Sequence, residues 1–300
     1  MSGISIVIPA KNEATSLIVL LPELKALYPE AEIIVVNDGA SDNTSEICSN
    51  NAVIEIVHRY SKGNGASIKS GARAATGDVI VFMDGDGQHQ PKEIKKLLEK
   101  MEEGYDMVVG ARRSESQASV ARLAANGAYN RLATWMTGHK VEDLTSGFRV
   151  VKASLFKQYL YLLPNGFSYP TTITMAFFRA GLGVAYVNVE VEKRVGDSHI
   201  SIVKDGIRFF LIIFKIGTLY SPLKLFFPVS AFLFFIGLSY YLFTFITASR
   251  FTNMSALLFS TSILVFLMGL VSEQITTLSY SSRGGPTKMD VDDIRVIRKR

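Results

Sequence analysis

Two stretches in the last third of the chain, residues 225–249 and 252–272, contain no charged residue. A helix rises about 1.5 Å per residue and a bilayer core is about 30 Å thick, so about 20 residues span it. Phe, Leu and Ile dominate both stretches, and neither has a polar face along its length. A pair of membrane-spanning helices is therefore expected over 222–280. The turn between them carries one charge, Arg250. Lys204, Arg208, Lys215 and Lys224 precede the pair; Arg283, Lys288, Arg295, Arg298, Lys299 and Arg300 follow it. Positive flanks face the cytoplasm, which places the short turn outside and makes 281–300 a basic cytoplasmic tail. Directly before the first span, Lys204, Arg208 and Lys215 share one helical face within 201–221, and aromatic and branched residues fill the rest. That stretch reads as an interfacial helix on the cytoplasmic leaflet, with a domain-packing helix as the alternative.

The first two hundred residues are of another kind. Short β-branched runs at 4–8, 33–36, 53–57, 79–83 and 107–109 are bounded by Gly, Asn or Asp. Helical stretches lie between them at 13–27, kinked or restarted at Pro22, and at 42–49, 65–75 and 91–104. After Met107 the pattern loosens to a helix at 120–137, a loop at 138–147 and a late strand at 183–191. Such alternation predicts an α/β domain of βαβ units on a mostly parallel sheet. Residues 4–8 are too short for a secretory signal and follow no basic region, so this domain is expected to stay cytoplasmic. The single cysteine, Cys48, leaves no internal disulfide and fits a reducing compartment. The net charge of +5 comes without an aromatic–basic platform, which argues against nucleic acid as a partner.

The fourth run, 79–83, ends in Asp84-Gly85-Asp86. Side chains at i and i+2 of a strand point the same way, so both carboxylates aim beyond the strand's C-terminal end. Open α/β sheets bind ligands at that edge. Two carboxylates there suit a hard divalent cation that also holds phosphate oxygens, although the same residues suit a solvated turn. Asn12-Glu13 follows the first run, and Asn37-Asp38-Gly39-Ala40-Ser41-Asp42 follows the second. Asp38 could accept from a base or ribose hydroxyls, or serve the turn and cap. Lys62-Gly63-Asn64-Gly65-Ala66 opens a helix; its glycines permit close backbone approach, and Lys62 could meet a phosphate. It is neither a dinucleotide fingerprint, whose third glycine would fall at Ile68, nor a Walker loop.

Together these motifs resemble those of family 2 glycosyltransferases with the GT-A nucleotide-sugar-binding fold, over about two thirds of the chain. The carriers are Val7-Ile8-Pro9-Ala10-Lys11-Asn12-Glu13, the 37–42 and 62–66 stretches, and Met83-Asp84-Gly85-Asp86-Gly87-Gln88-His89-Gln90-Pro91. The last is similar to the Asp-Ala-Asp-x-Gln-His-x-Pro of dolichyl-phosphate mannosyltransferase-like enzymes, with Gly85 in place of Ala. The resemblance implies that Pro9, Ala10, Asn12, Glu13, Asp38, Asp42, Lys62 and Asp84 line the nucleotide-sugar. It implies that Asp84, Asp86 and Gln88 hold Mg²⁺ or Mn²⁺ on the diphosphate. Asn37 departs from the family's usual Asp. The resemblance further places Arg112, Arg122, Asn126, Arg194 and Ser198 on an acceptor phosphate. In Arg194-Val195-Gly196-Asp197-Ser198-His199, His199 replaces the family's Lys. Asp86, Arg112 and Asp143 are the implied catalytic residues, with Asp143 either a general base or a group that positions substrate and arginines.

The implied function is transfer of one sugar, from a GDP-mannose or UDP-glucose type donor, to a polyprenyl or dolichyl phosphate with inversion. The partners are then the donor, the lipid acceptor and the membrane; a homo-oligomer is left open. The alternatives are a glycosyltransferase acting on another lipid or glycan hydroxyl, and a membrane-anchored scaffold without activity. A processive synthase is disfavoured: the only tryptophan, Trp135, precedes the acidic motif at 143 and is not directly preceded by Arg.

Overall fold

A computed structural model describes residues 3–112, 120–166, 168–191, 214, 217–218, 220–281 and 294–297, with the side chains of 120–126 and of 279 onward left aside. The chain divides into two compact units, Met1–His199 with Gly284–Arg300, and Ile200–Arg283.

The first unit is built on β1 (Ile4–Ala10), β2 (Glu32–Asn37), β3 (Ile54–His58), β4 (Val79–Phe82), β5 (Met107–Arg112), β6 (Arg149–Lys152), β7 (Val184–Val189) and β8 (Ile294–Ile297). They form one sheet in the order β7-β5-β6-β4-β1-β2-β3-β8. Pairs β1–β2, β1–β4, β2–β3 and β5–β7 are parallel; β6 and β8 run antiparallel to their neighbours. The helices are α1 (Ala14–Leu27), α2 (Thr44–Asn50), α3 (Asn64–Ala74), α4 (Glu93–Glu102), α5 (Val120–Thr137), α6 (Ala153–Gln158) and α7 (Tyr169–Arg179).

Parallel strands covered on both faces must be apolar throughout, and successive residues serve opposite layers. Ile6 and Ile8 join Leu17, Leu21 and Leu24 of α1 and Leu97 of α4 in one core. Val7, between them, joins Ile68 of α3, Phe156 of α6 and Phe177 of α7 in the other. The chain winds from β1 to β3 on one side of β1 and then returns to place β4 on its other side. That is a topological switch point, and the crevice outside the strand ends opens there.

Three features differ from the sequence expectation. α1 runs unbroken through Pro22, which lies on its exposed face. Antiparallel β6 directly follows the 138–147 loop, because Arg149-Val150-Val151 pairs with both β4 and β5. Within the 281–300 tail, Ile294–Ile297 pairs with β3 along its free edge.

In the second unit, α8 (Pro222–Ala248) and α9 (Asn253–Ser281) are long and apolar enough to cross a membrane. Buried small residues recur every seven positions: Ser230, Gly237 and Thr244 on α8, and Ser255, Ser262, Gly269 and Thr276 on α9. A seven-residue repeat is the period of helices that wind about each other, and small side chains let backbones approach. Ser230 Oγ donates to the Ser262 carbonyl at 2.9 Å, and Ser262 Oγ to the Ser230 carbonyl at 3.0 Å. Gly237 and Gly269 therefore serve packing within the hairpin. The 201–221 interfacial helix lies almost wholly outside the described residues.

Asn37 closes β2 from inside the domain. Its amide donates to Ser45 Oγ and to Glu55 Oε1, both at 3.0 Å, while its own oxygen accepts from the Ala40 N–H at 2.8 Å. The amide is needed because its neighbour is a buried carboxylate, and an Asp here would set two like charges together. Asn37→Asp should therefore lower stability at pH 7 by about 1–3 kcal/mol. Thermal unfolding of the purified protein checks this, and an unchanged midpoint would contradict it.

Candidate active site

A cavity of about 430 Å³ opens at the switch point, lined by Pro9, Ala10, Lys11, Glu13, Asp38, Ser61, Gly63, Asn64, Ser67, Asp84, Gly85 and Asp86. Six of the expected ligand residues thus meet in one place: Pro9, Ala10, Glu13, Asp38, Asp84 and Asp86. Lys11, Ser61, Asn64 and Ser67 are additions. Asn64 and Ser67 are three apart at the start of α3 and so share a face, a spacing visible in the sequence. Ser61 carries no such signal.

Asn12, Asp42, Lys62 and Gln88, also expected at the ligand, do not line the cavity. Asn12 adopts a left-handed backbone (φ 58°), and its Oδ1 accepts from the Ser41 N–H at 2.8 Å. Asp42 accepts from the Ala14 N–H at the start of α1 and from both donors of Thr44. Burial pushes its carboxyl up, but those donors outweigh it and hold the group below its usual range. These bonds staple the β1 and β2 loops together, so both residues support the cavity wall. The Lys62 ammonium lies over the Tyr60 ring, 5.4 Å from its centre.

The glycines of the 62–66 loop approach protein backbone. A Cβ on Gly65 would sit 2.1 Å from the Pro164 carbonyl, and the Gly65 and Ala66 N–H groups donate to Gly166 and Asn165. Asp38 orders the same loop. It accepts from His58 Nδ1, Ser61 Oγ and the N–H groups of Lys62 and Gly63, all within 2.7–2.8 Å. Burial acts to raise its carboxyl; the four donors, His58 first, more than reverse this and hold it low. A carboxylate has about four acceptor sites. All four are used, so a ribose hydroxyl would have to displace one of them.

Asp84 and Asp86 share the cavity floor. A Cβ on Gly147 would stand 2.7 Å from Asp84 Oδ2, so only glycine allows that backbone to touch the carboxylate. At Gly85, which stands where the family has Ala, a Cβ would lie 3.1 Å from the Pro9 carbonyl. Burial first and the Asp86 charge second push the Asp84 carboxyl up to about 6; Arg112, Arg149 and the Asn64 amide pull against this. Two adjacent carboxylates whose repulsion is only partly offset fit a divalent cation. Among the described residues no group of three or more His, Cys, Asp or Glu converges. A cation here would therefore draw further oxygens from water, ligand or Gln88, whose backbone N–H donates to Asp86 Oδ1 at 3.1 Å.

Beyond the floor, Arg112 at the end of β5 grips Asp143. Its Nε donates to Oδ2 at 2.8 Å and its Nη2 to Oδ1 at 3.1 Å and to Thr145 Oγ1 at 2.6 Å. Asp143 also accepts from the Thr145 and Ser146 N–H groups, both at 3.1 Å. Burial raises its carboxyl, but Arg112 and these donors hold it below the usual range. His89 stacks on Phe148 with ring centres 4.7 Å apart; burial and then Arg112 push it down to about 4, so it is neutral. α5 carries Arg122 and Asn126, whose side chains lie outside the described residues, as do Arg194, Ser198 and His199.

With this geometry in place, comparison with known proteins is decisive for the family. Residues 5–160 match glycosyl transferase family 2, and residues 221–278 match the GtrB C-terminal hairpin. The chain belongs to glycosyl transferase family 2. An undecaprenyl-phosphate 4-deoxy-4-formamido-L-arabinose transferase of Photorhabdus laumondii is 32% identical over 211 residues, 67% of this chain. The match spans 64% of that relative's length. An undecaprenyl-phosphate mannosyltransferase of Micrococcus luteus is 30% identical over 210 residues, 65% of this chain and 86% of that protein. Among solved structures, glucosyl-3-phosphoglycerate synthase of Mycobacterium tuberculosis, in complex with Mn²⁺ and UDP-glucose, superimposes with a TM-score of 0.58. That match has 21% identity and covers 72% of this chain and 78% of the other. At that identity the likeness is one of fold.

Asp143→Asn would leave the Arg112 guanidinium facing a neutral amide and should cost on the order of 2–3 kcal/mol at pH 7. The sign with pH follows from the lowered carboxyl. Its contribution is full above the unfolded value near 4 and is lost as pH falls through the folded value. Wild-type and variant unfolding midpoints should therefore converge below pH about 4. A gap that stays constant down to pH 3 would contradict the ion pair.

Proposed function

We propose that the protein transfers one sugar from a nucleotide-sugar to a polyprenyl phosphate at the cytoplasmic face of a membrane, with inversion at the anomeric carbon. The observation that carries this reading is the paired Asp84 and Asp86 on the floor of the switch-point cavity, with Arg112 held beyond them. Curated relatives named for undecaprenyl-phosphate transfer and a matching C-terminal hairpin support the acceptor class. The donor is of the GDP-mannose or UDP-glucose type.

Asp84, Asp86 and Gln88 would hold Mg²⁺ or Mn²⁺, which offsets charge on the departing nucleoside diphosphate. The residues of β1, β2 and the α3 start wall the nucleotide. Arg112, with Arg122, Asn126, Arg194 and Ser198, receives the acceptor phosphate; a planar guanidinium bonds two phosphate oxygens at once. One acceptor oxygen bonds to the anomeric carbon as the bond to the diphosphate oxygen breaks from the opposite side. A phosphomonoester already carries about −1.5 to −2 charge and needs no base. This agrees with Asp143, whose oxygens are taken by Arg112 and backbone donors. A hydroxyl acceptor would need a free base there, so the ion pair favours the phosphate. Both ends of the hairpin carry the basic residues, and the turn has only Arg250, which supports a cytoplasmic catalytic unit.

Two variants test these roles. Asp86→Asn should reduce metal-dependent transfer about a hundredfold or more, since the cation supplies several kcal/mol of transition-state stabilisation. In the wild type, Mn²⁺ affinity should fall severalfold between pH 7 and pH 5, as the Asp84 carboxyl at about 6 takes up a proton. Titration of the protein with Mn²⁺ at the two pH values reads this, and a flat response would contradict it. Arg122→Ala should raise the KM for short-chain polyprenyl phosphate about tenfold while the donor KM stays within about twofold. Equal effects on both substrates in a lipid-extraction transfer assay would contradict the acceptor assignment.

A further inference from the structure

The loop between Asp143 and β6 is polarised across its width. On one edge, the N–H groups of Thr145 and Ser146 point at the Asp143 carboxylate. On the other edge, three carbonyls are drawn inward by separate donors. Thr171 Oγ1 donates to the Leu144 carbonyl at 3.3 Å, Arg149 Nη2 donates to the Ser146 carbonyl, and the Tyr169 hydroxyl donates to the Gly147 carbonyl at 3.1 Å. Thr171 and Tyr169 lie in the first turn of α7. Arg149 is tied to the same helix, donating to the Pro170 carbonyl and to Thr174 Oγ1, both at 3.1 Å.

Arg149 and Tyr169 have no exposure that a ligand could use: they are 0% and 1% accessible. Arg149 is also unusual for a buried arginine. Its hydrogen-bond acceptors are two carbonyls, a hydroxyl and the Met107 sulfur, and its guanidinium lies 5.7 Å from the Tyr169 ring centre. The carboxylates close enough to act on it electrostatically are Asp143 and Asp84. A charge this deeply buried is costly unless its surroundings use it. Gly147 touches Asp84 directly, and a carbonyl dipole turned toward that carboxylate would repel it and any diphosphate beside it.

From this the geometry points to Arg149 and Tyr169 as positioning residues: they hold the Ser146 and Gly147 carbonyls away from the carboxylates, and so fix Asp84 against the cation. Neither residue touches a reacting atom. They act through the backbone that connects the Asp84–Asp86 floor to the Arg112–Asp143 pair. Tyr169 stands three residues beyond Gly166, whose carbonyl, with that of Asn165, accepts from the Gly65 and Ala66 N–H groups in the first turn of α3. The inference rests on reading Asp84 and Asp86 as a cation site.

The test uses the full-length protein in detergent or nanodiscs and Mn²⁺ alone as the probe. Tyr169→Phe removes one oxygen and frees the Gly147 carbonyl. It should weaken Mn²⁺ binding about five- to tenfold, read from the free-ion electron paramagnetic resonance signal, and lower kcat about tenfold. Arg149→Lys, which cannot fork between the loop and α7, should do the same. Tyr186→Phe is the control, because the Tyr186 hydroxyl is buried with no hydrogen-bond partner among the described residues, and its Mn²⁺ affinity should match the wild type. A purely structural role would lower the unfolding midpoint of Tyr169→Phe and leave Mn²⁺ affinity and the metal dependence of kcat unchanged. That result would overturn the inference while leaving the functional reading intact. A wild-type protein that binds no Mn²⁺ would remove both.

Discussion

Two carboxylates placed two residues apart at the end of a fully buried strand repel each other, and the catalytic unit is organised around that repulsion. β4 is apolar on both faces, so its end cannot retreat from the crevice. Asp84 is enclosed by the Gly147 backbone on one side and the Asn64 amide on another, with Arg112 and Arg149 within electrostatic reach. These groups reduce the strain without cancelling it, and what remains is an affinity for positive charge. A site left short of positive charge in this way differs from a structural ion pair, in which each charge already has its partner.

The Arg112–Asp143 pair is an example of the second kind. Arg112 bonds Asp143 and Thr145 through Nε and Nη2, and under the proposed function the rest of its guanidinium meets the acceptor phosphate at a fixed angle. The contrast between the two acidic sites separates their chemistry. One carboxylate is pushed up to about 6 and awaits a counter-charge; the other is held low and cannot readily take a proton. An acceptor that arrives already ionised suits this division, because the reaction then needs charge to be neutralised and oriented, and needs no proton to be removed.

The sequence carried the architecture well wherever burial dictates pattern. Apolar runs ending in Asp or Asn located β1, β2 and β4 and the motifs at their ends. The charge-free stretches located α8 and α9. The family assignment, read from four ordered motifs, agrees with the match over residues 5–160. What was not legible depends on contacts distant in the chain. Nothing near Asp38 in sequence reveals that His58, Ser61, Lys62 and Gly63 occupy its oxygens. Gly63 lines the cavity, but nothing in the sequence shows that Gly63 and Gly65 also pack against the backbone of residues 164–166, a hundred positions on. β6 was missed because it is short and antiparallel, paired on both edges by strands that the βαβ rhythm does not predict. β8 was hidden in a basic tail, where Ile294-Arg295-Val296-Ile297 is too brief to announce a strand. Asn37, which departs from the family's usual Asp, is an internal partner of Glu55.

The central claim is that Asp84 and Asp86 together seat a divalent cation against the diphosphate of a nucleotide-sugar. The most direct measurement is anomalous diffraction from crystals of the full chain grown with Mn²⁺ and a nucleotide-sugar. The account predicts one manganese peak bonded to a carboxylate oxygen of this pair and to the diphosphate. A fully occupied nucleotide-sugar in the cavity, with no anomalous peak beside Asp84 or Asp86, would contradict it.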